Sequence, residues 1–293
     1  MTMKLAACAK INLMLDILGT TDDGYHTLFM IMQSVSIEDF VTITETGKKG
    51  TITLSCSNAK LPSDSSNIGY KAAARFFEMT GIDNPGIHID IEKHIPFAAG
   101  LAGGSADAAA VYVGLNRLTG ANLSTKELCE IALKTGADVP FCIQGGTMCA
   151  TDIGGVLAPL PDINHKWFVL VKPSQDVSTK EAYDAFDRSD NIRHLDTTGM
   201  LRAMVTKNDD AIYSRVGNVF EQFIYVEDRV TIKSVMRRNN AIAHCMSGSG
   251  PTVFGVFDNK KDACSCYEEL KSLGFDSSFV CEPQNNGVRF IED

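Results

Sequence analysis

The chain has 293 residues, enough for two domains with real cores. Hydrophobic residues at 44% and charged residues at 22% are ordinary for a soluble globular protein, and a formal net charge of −9 argues against nucleic acid or an anionic membrane as partner. Nine scattered cysteines without a Cys-x-x-Cys pair predict reduced thiols in a cytosolic protein, not a disulfide frame or a zinc site. The start, Met-Thr-Met-Lys-Leu-Ala-Ala-Cys, turns polar too soon for a signal peptide, and no run reaches transmembrane length, so a cytoplasmic location is expected.

Residues 4–18 read as strand, in one or two segments. Alternation puts Ile11, Leu13, Leu15 and Ile17 on one face and Lys10 with Asn12 on the other, where a solvated pair is as natural as a site. Asp22-Asp23-Gly24 is a turn signal, with Tyr25 and His26 on its far side. Residues 28–37, 40–45 and 51–55 follow as separate β-rich segments. The spacing of Ile68, Ala72, Phe76 and Met79 predicts a helix capped by Asn67 and ended by Gly81. Residues 86–92 alternate as a strand and lead through Lys93 and His94 into a glycine-rich loop.

That loop, Pro96-Phe97-Ala98-Ala99-Gly100-Leu101-Ala102-Gly103-Gly104-Ser105-Ala106-Asp107, precedes an alanine-rich helix. Gly100, Gly103 and Gly104 allow positive φ and remove Cβ, so a ligand can approach the backbone. Ser105 suits a helix N-cap, and the free N–H groups of the turn behind it suit a phosphate. The helix runs over 105–118. Neither a Walker A loop nor a Rossmann fingerprint is present, and a tight loop feeding a buried helix is the plain alternative.

Ser124-Thr125-Lys126-Glu127 is a capping box that opens a second helix to Thr135, with Gly136 as its C-terminal cap. Pro140 then makes Val139 extended and leaves Asp138 on a short fixed connector, a common place for a catalytic group and for ordinary turn chemistry alike. Residues 156–166, with two prolines, mark the junction between domains at 1–155 and 156–293. Beyond it come a strand over 167–171, a helix opened by Ser178-Thr179-Lys180-Glu181 that holds Tyr183, and helices over 197–205, 209–224 and 226–238. A strand, the loop Ser247-Gly248-Ser249-Gly250-Pro251-Thr252, a second strand, a helix over 260–273 and two short strands complete the chain.

Pro96 to Ala110 resembles the phosphate-binding motif of the GHMP kinases, the superfamily named for galactokinase, homoserine, mevalonate and phosphomevalonate kinases. Ala9-Lys10-Ile11-Asn12-Leu13 followed by Asp23-Gly24-Tyr25-His26 is similar to the branch that acts on a cytidylyl-linked methylerythritol, and Gly136-Ala137-Asp138-Val139-Pro140-Phe141 matches the same branch. Ser247 to Thr252 resembles the third motif of the superfamily. Residues 150–155 depart from the branch pattern by lacking its two glutamates.

The resemblance implies an α+β architecture of two domains, the first like the second domain of ribosomal protein S5 and the second ferredoxin-like. It implies phosphorylation of the 2-hydroxyl of the cytidylyl-linked substrate by ATP and Mg²⁺, in the non-mevalonate route to isoprenoid precursors. Lys10 and Asp138 would be catalytic, with Asp138 as base. The loop from Pro96 to Asp107 would bind the β- and γ-phosphates, Asn67 and Lys93 would lie near the nucleotide, and Ser105 would be the nearest protein oxygen for Mg²⁺. Asn12, Tyr25, His26 and Tyr183 would meet the substrate, with Tyr25 and Tyr183 on opposite faces of the cytosine, and Ser247, Gly248, Ser249 and Gly250 would close over the phosphates. A mevalonate- or homoserine-type kinase would share the glycine loop without the two N-terminal motifs. A non-catalytic member could lose the base, and the presence of both Lys10 and Asp138 argues against it.

Overall fold

The apolar alternation at the start of the chain becomes one strand, β1 (Thr2–Thr20), which pairs antiparallel with β2 (His26–Glu45) along its whole length. The two segments expected between 28 and 45 are likewise a single strand. In the computed structural model, which describes residues 1–291, the register of this ribbon shifts between Cys8 and Ala9, Asn12 and Met14, and Ile17 and Gly19. Such irregularities bend a strand without ending it, so breaks in the pattern do not separate elements. β3 (Ile52–Cys56) follows, then α1 (Ile68–Thr80) and β4 (Ile87–Glu92), which pairs with both β2 and β3. Next come α2 (Gly103–Leu118), α3 (Thr125–Leu133) and α4 (Val139–Gln144). The hairpin β5 (Thr147–Asp152) and β6 (Val156–Pro159) covers the other half of β2.

Helix α2 is the buried spine of this half. Gly114 lets it press onto the sheet, since a Cβ there would lie 2.6 Å from Ile43 Cδ1 and 3.1 Å from Leu5 Cδ1. Ser124 and Glu127 form the expected capping box, but α3 stops at Leu133 with Lys134 as its cap. Gly136 is not left-handed there; its carbonyl accepts from the Val139 N–H at 3.1 Å and starts the next turn. Val139 is therefore helical, not extended, because Pro140 occupies the first turn of α4, where its missing N–H costs no hydrogen bond.

The remaining chain supplies β7 (Trp167–Val171), α5 (Thr179–Asp187), α6 (Thr197–Thr206) and α7 (Asp209–Tyr213). After them come β8 (Gly217–Asn218), a 3-10 turn (Val219–Gln222), α8 (Arg229–Arg238), β9 (Ala243–Met246) and β10 (Val253–Phe257). The chain closes with α9 (Lys260–Ser272), β11 (Ser278–Cys281), β12 (Pro283–Gln284) and β13 (Val288–Ile291). The helix expected over 209–224 is broken after Tyr213. Gly217 and Asn218 are poor helix formers, and they pair in parallel with Met14 and Leu15 of β1 instead.

The second sheet has the antiparallel order β11-β7-β10-β9. Val169, Val171, Val253 and Phe257 face α8 and α9 in a small core of their own. Phe168, Leu170, Phe254 and Val256 join the large core. The residue-155 boundary falls in the turn between β5 and β6, while β12 and β13 return to pair with β2 and β1. Chain beyond that boundary thus contributes to both sheets. The nine cysteines are all free, and no helix among the described residues is long and apolar enough to cross a membrane.

Candidate active site

Both halves of the chain line one cavity of about 730 Å³. Its walls are the 96–105 loop, Lys10, Asn67, Asp138, Tyr183, Phe220 and residues 248–250.

The loop is shaped by three left-handed residues in alternation, Ala98 (φ 50°), Gly100 (φ 72°) and Ala102 (φ 57°). Two of them are alanines, which adopt this region at a cost of about 1–3 kcal/mol each, strain that clusters at ligand sites. Ala102 occupies the N-cap of α2 and offers no side-chain bond. The helix thus begins at Gly103, and Ser105 lies inside its first turn, not at the cap as expected. With no capping side chain, the N–H groups of Gly103, Gly104 and Ser105 form the open positive end of a sixteen-residue helix. Gly103 and Gly104 do not have positive φ. A Cβ at Gly103 would point inward, 3.0 Å from Ile95 Cγ2 and 3.3 Å from Lys93 Nζ, so its need for glycine is packing beneath the loop.

Lys93 lies in that space. Its ammonium is paired with Asp39 and, at 2.7 Å, with Asp107, all three side chains nearly inaccessible. Asp39 also accepts the N–H groups of His94 at 2.6 Å and Ile95 at 2.8 Å. Burial pulls the Lys93 ammonium pKa down, but Asp107 and Asp39 outweigh it and the net shift is upward. Burial drives the Asp107 carboxyl well above the usual range, with Lys93 opposing and Asp39 adding. Asn67 also borders the cavity, yet its amide donates to Pro62 O and accepts from Gly69 N, both at 2.8 Å. Both residues therefore line the cavity with their polar groups engaged in its wall.

Lys10 and Asn12, side by side on β1, are buried. Lys10 Nζ donates to Asn12 Oδ1 at 2.8 Å and lies 3.5 Å from Asp138 Oδ2. Asp138, 31% exposed, precedes α4 and opens to the cavity. Asn12 Oδ1 also accepts the Gly248 N–H at 3.0 Å, which ties the 247–252 loop to the lysine. Ser247 Oγ donates to Gly100 O at 2.9 Å, and Ser249 Oγ meets Thr179 Oγ1 at 3.0 Å. Sequence reading missed four further members of this assembly: Asp39, Thr179, Asn218 and Phe220. Each is an isolated polar or apolar residue whose meaning arises only when distant strands meet.

Tyr183 lies against the cavity with its edge on Phe220, ring centroids 5.1 Å apart. Burial, with Asp138 adding, pushes its phenol up to about 12. The His26 ring stacks on Tyr183 at 4.6 Å and pairs with Asp187 at 2.7 Å. Tyr25 is 60% exposed in the turn, and neither it nor His26 lines the cavity. His26 thus stacks on one face of Tyr183, and Tyr25 stands outside the cavity lining.

A glycine-rich loop opening a helix, a second loop docked onto it and a lysine–aspartate pair in the cleft define a GHMP-type kinase. Residues 67–146 match the GHMP kinases N terminal domain, and residues 224–275 match the GHMP kinases C terminal domain. The 4-diphosphocytidyl-2-C-methyl-D-erythritol kinase of Alkaliphilus oremlandii is 44% identical over 287 residues, covering 97% of each chain. That of Clostridium perfringens is 43% identical over 271 residues, 92% of this chain and 93% of the relative. A crystal structure of 4-(cytidine 5'-diphospho)-2C-methyl-D-erythritol kinase superposes with a TM-score of 0.76 at 28% identity, covering 95% of this chain and 98% of the other. The chain belongs to the 4-diphosphocytidyl-2-C-methyl-D-erythritol kinase family of GHMP kinases.

Proposed function

We propose that the protein transfers the γ-phosphoryl group of ATP to the 2-hydroxyl of 4-diphosphocytidyl-2-C-methyl-D-erythritol, a step toward isoprenoid precursors. The observation that carries this reading is the Lys10–Asp138 pair, 3.5 Å apart, in the same cavity as the open first turn of α2. Asp138 accepts the proton of the substrate hydroxyl as its oxygen bonds to the γ-phosphorus and the bond to ADP breaks. Lys10 stabilises the forming alkoxide and the charge on the moving phosphoryl group. The N–H groups of Gly103, Gly104 and Ser105 hold the β- and γ-phosphate oxygens. Tyr183 keeps its phenol proton and offers the substrate its ring and a donor at the cavity wall.

A Mg²⁺ ion suits this set of groups. Such an ion keeps several waters and needs few protein ligands. Ser105 Oγ, in the open first turn of α2, is the protein oxygen that would hold it. The ion, when bound, supplies charge neutralisation between the phosphates.

The test is ADP release with 4-diphosphocytidyl-2-C-methyl-D-erythritol, mevalonate and homoserine as acceptors. The cytidylyl substrate should give a kcat/KM at least about 10³-fold above the others, the scale of discrimination expected of a site with polar recognition. Comparable or better turnover of mevalonate or homoserine would overturn the assignment.

A further inference from the structure

Asn218 touches no part of the cavity, yet its side chain ends a chain of contacts that begins at the reacting pair. β8, which holds it, pairs in parallel with Met14 and Leu15, a few residues along the strand that carries Lys10 and Asn12. Asn218 is 4% exposed. Its Nδ2 donates to Gly248 O at 2.7 Å and to Met246 O at 2.8 Å, while its Oδ1 accepts the Phe220 N–H at 3.0 Å. Both N–H donors of the amide are thus taken, and its orientation is determined.

The consequence lies at Gly248. Its carbonyl is held by Asn218, its φ of 58° is left-handed, and a Cβ there would stand 3.0 Å from Gly100 O. With its carbonyl held by Asn218 and its Cα crowded against Gly100, Gly248 has little freedom to turn, and its N–H donates to Asn12 Oδ1. That oxygen also accepts from Lys10 Nζ, so the ammonium beside Asp138 is placed through Asn12 by a group that the C-terminal half holds. The start of the loop is gripped from the same side, because Met246 N donates to Glu221 Oε1 at 2.8 Å.

We propose that Asn218 is a positioning residue for phosphoryl transfer, acting through Gly248 and Asn12 to hold the Lys10 ammonium against Asp138. This rests on the reading of Lys10 and Asp138 as the reacting pair. It predicts an effect on turnover out of proportion to any effect on binding, because the groups that hold phosphate on α2 are untouched.

The experiment is a double-mutant cycle on kcat with Asn218→Asp, Asn12→Ala and the double variant, beside Lys10→Met and Asp138→Asn. Asn218→Asp keeps the shape of the side chain but turns an oxygen toward two carbonyl oxygens. It should lower kcat by roughly 10–100-fold while KM for ATP stays within about threefold, the pattern of a lost transition-state contact. Because both residues act on the same ammonium, the double variant should lose little more than Asn12→Ala alone. Should Asn218→Asp fail to fold, Asn218→Ser, which keeps one donor, enters the same cycle with a smaller loss. Unchanged kcat in the folded variant, or losses that simply multiply, would overturn the proposal while leaving the reacting pair intact. Normal turnover by Lys10→Met and Asp138→Asn would instead remove the reading of the site, and this proposal with it.

Discussion

Gly100 and Gly248, distant in sequence, meet backbone to backbone at the roof of the cavity. A Cβ on Gly100 would stand 2.3 Å from Ser247 O, and one on Gly248 would stand 3.0 Å from Gly100 O. The Ser247 hydroxyl closes the contact by donating to Gly100 O at 2.9 Å. Two loops from different halves of the chain are thereby held in backbone contact, with the Ser247 hydroxyl as the hydrogen bond between them. Gly100→Ala places a Cβ against a backbone carbonyl at a left-handed φ, a combination that costs about 2–4 kcal/mol. The melting temperature should fall and ATP affinity should weaken together, as read by thermal unfolding and nucleotide titration. Wild-type values in both would show that the loops need not touch.

The buried Asp39–Lys93–Asp107 cluster predicts a specific dependence on pH. The Asp107 carboxyl has its folded pKa raised, by burial first, above the value it has in an unfolded chain. The stability it contributes is therefore fully present below about pH 4, the unfolded value, and is lost as pH rises through the folded value. Asp107→Asn removes this loss while leaving an oxygen for Lys93. The difference in melting temperature, variant minus wild type, should grow in the variant's favour from about pH 4 to about pH 7. A difference that is flat or shrinks over that range would contradict the raised carboxyl. Lys93→Met leaves the buried Asp39 carboxylate without its cation and should cost about 3–5 kcal/mol.

Tyr183 separates packing from recognition. Its ring carries His26 on one face and Phe220 at its edge, so Tyr183→Ala should lower stability by about 3 kcal/mol. The same change should raise KM for the cytidylyl substrate about tenfold, the worth of one ring contact with a base, with KM for ATP unchanged. Tyr183→Phe keeps the ring and should stay within about threefold of wild type in KM, a loss no larger than one neutral hydrogen bond. Burial and Asp138 hold the phenol near 12, so no loss of kcat from its ionisation is expected below about pH 10. Equal KM values in wild type and Tyr183→Ala would make the ring a packing element only.

Much of the site was legible because its motifs are local. Lys10 with Asn12 follows from strand alternation, the 96–107 loop from its glycines, and the capping box at Ser124 from four consecutive residues. The errors have a common origin in tertiary contacts. Ser105 has the chemistry of an N-cap, but Ala102 takes the left-handed cap position and the helix starts two residues before the serine. Pro140 argues for an extended Val139 in isolation, whereas the first turn of a helix accepts proline. Asn67 caps α1 as expected and lines the cavity with Lys93, whose partners Asp39 and Asp107 lie far from it in sequence. The helix expected over 209–224 gives way to strand pairing with β1, which no local pattern announces.

The account turns on Asp138, whose partly exposed carboxylate stands beside Lys10 in the cavity lining. Asp138→Asn keeps the shape of the side chain, precedes the same helix and removes its ability to take a proton. The measurement is steady-state kcat for ATP-dependent phosphorylation of 4-diphosphocytidyl-2-C-methyl-D-erythritol, with ATP affinity and melting temperature followed on the same sample. The predicted result is a fall in kcat of roughly 10²–10⁴-fold with ATP affinity and melting temperature close to wild type. Turnover near the wild-type rate would show that the hydroxyl proton leaves by another route and that the Lys10–Asp138 pair does not carry the reaction.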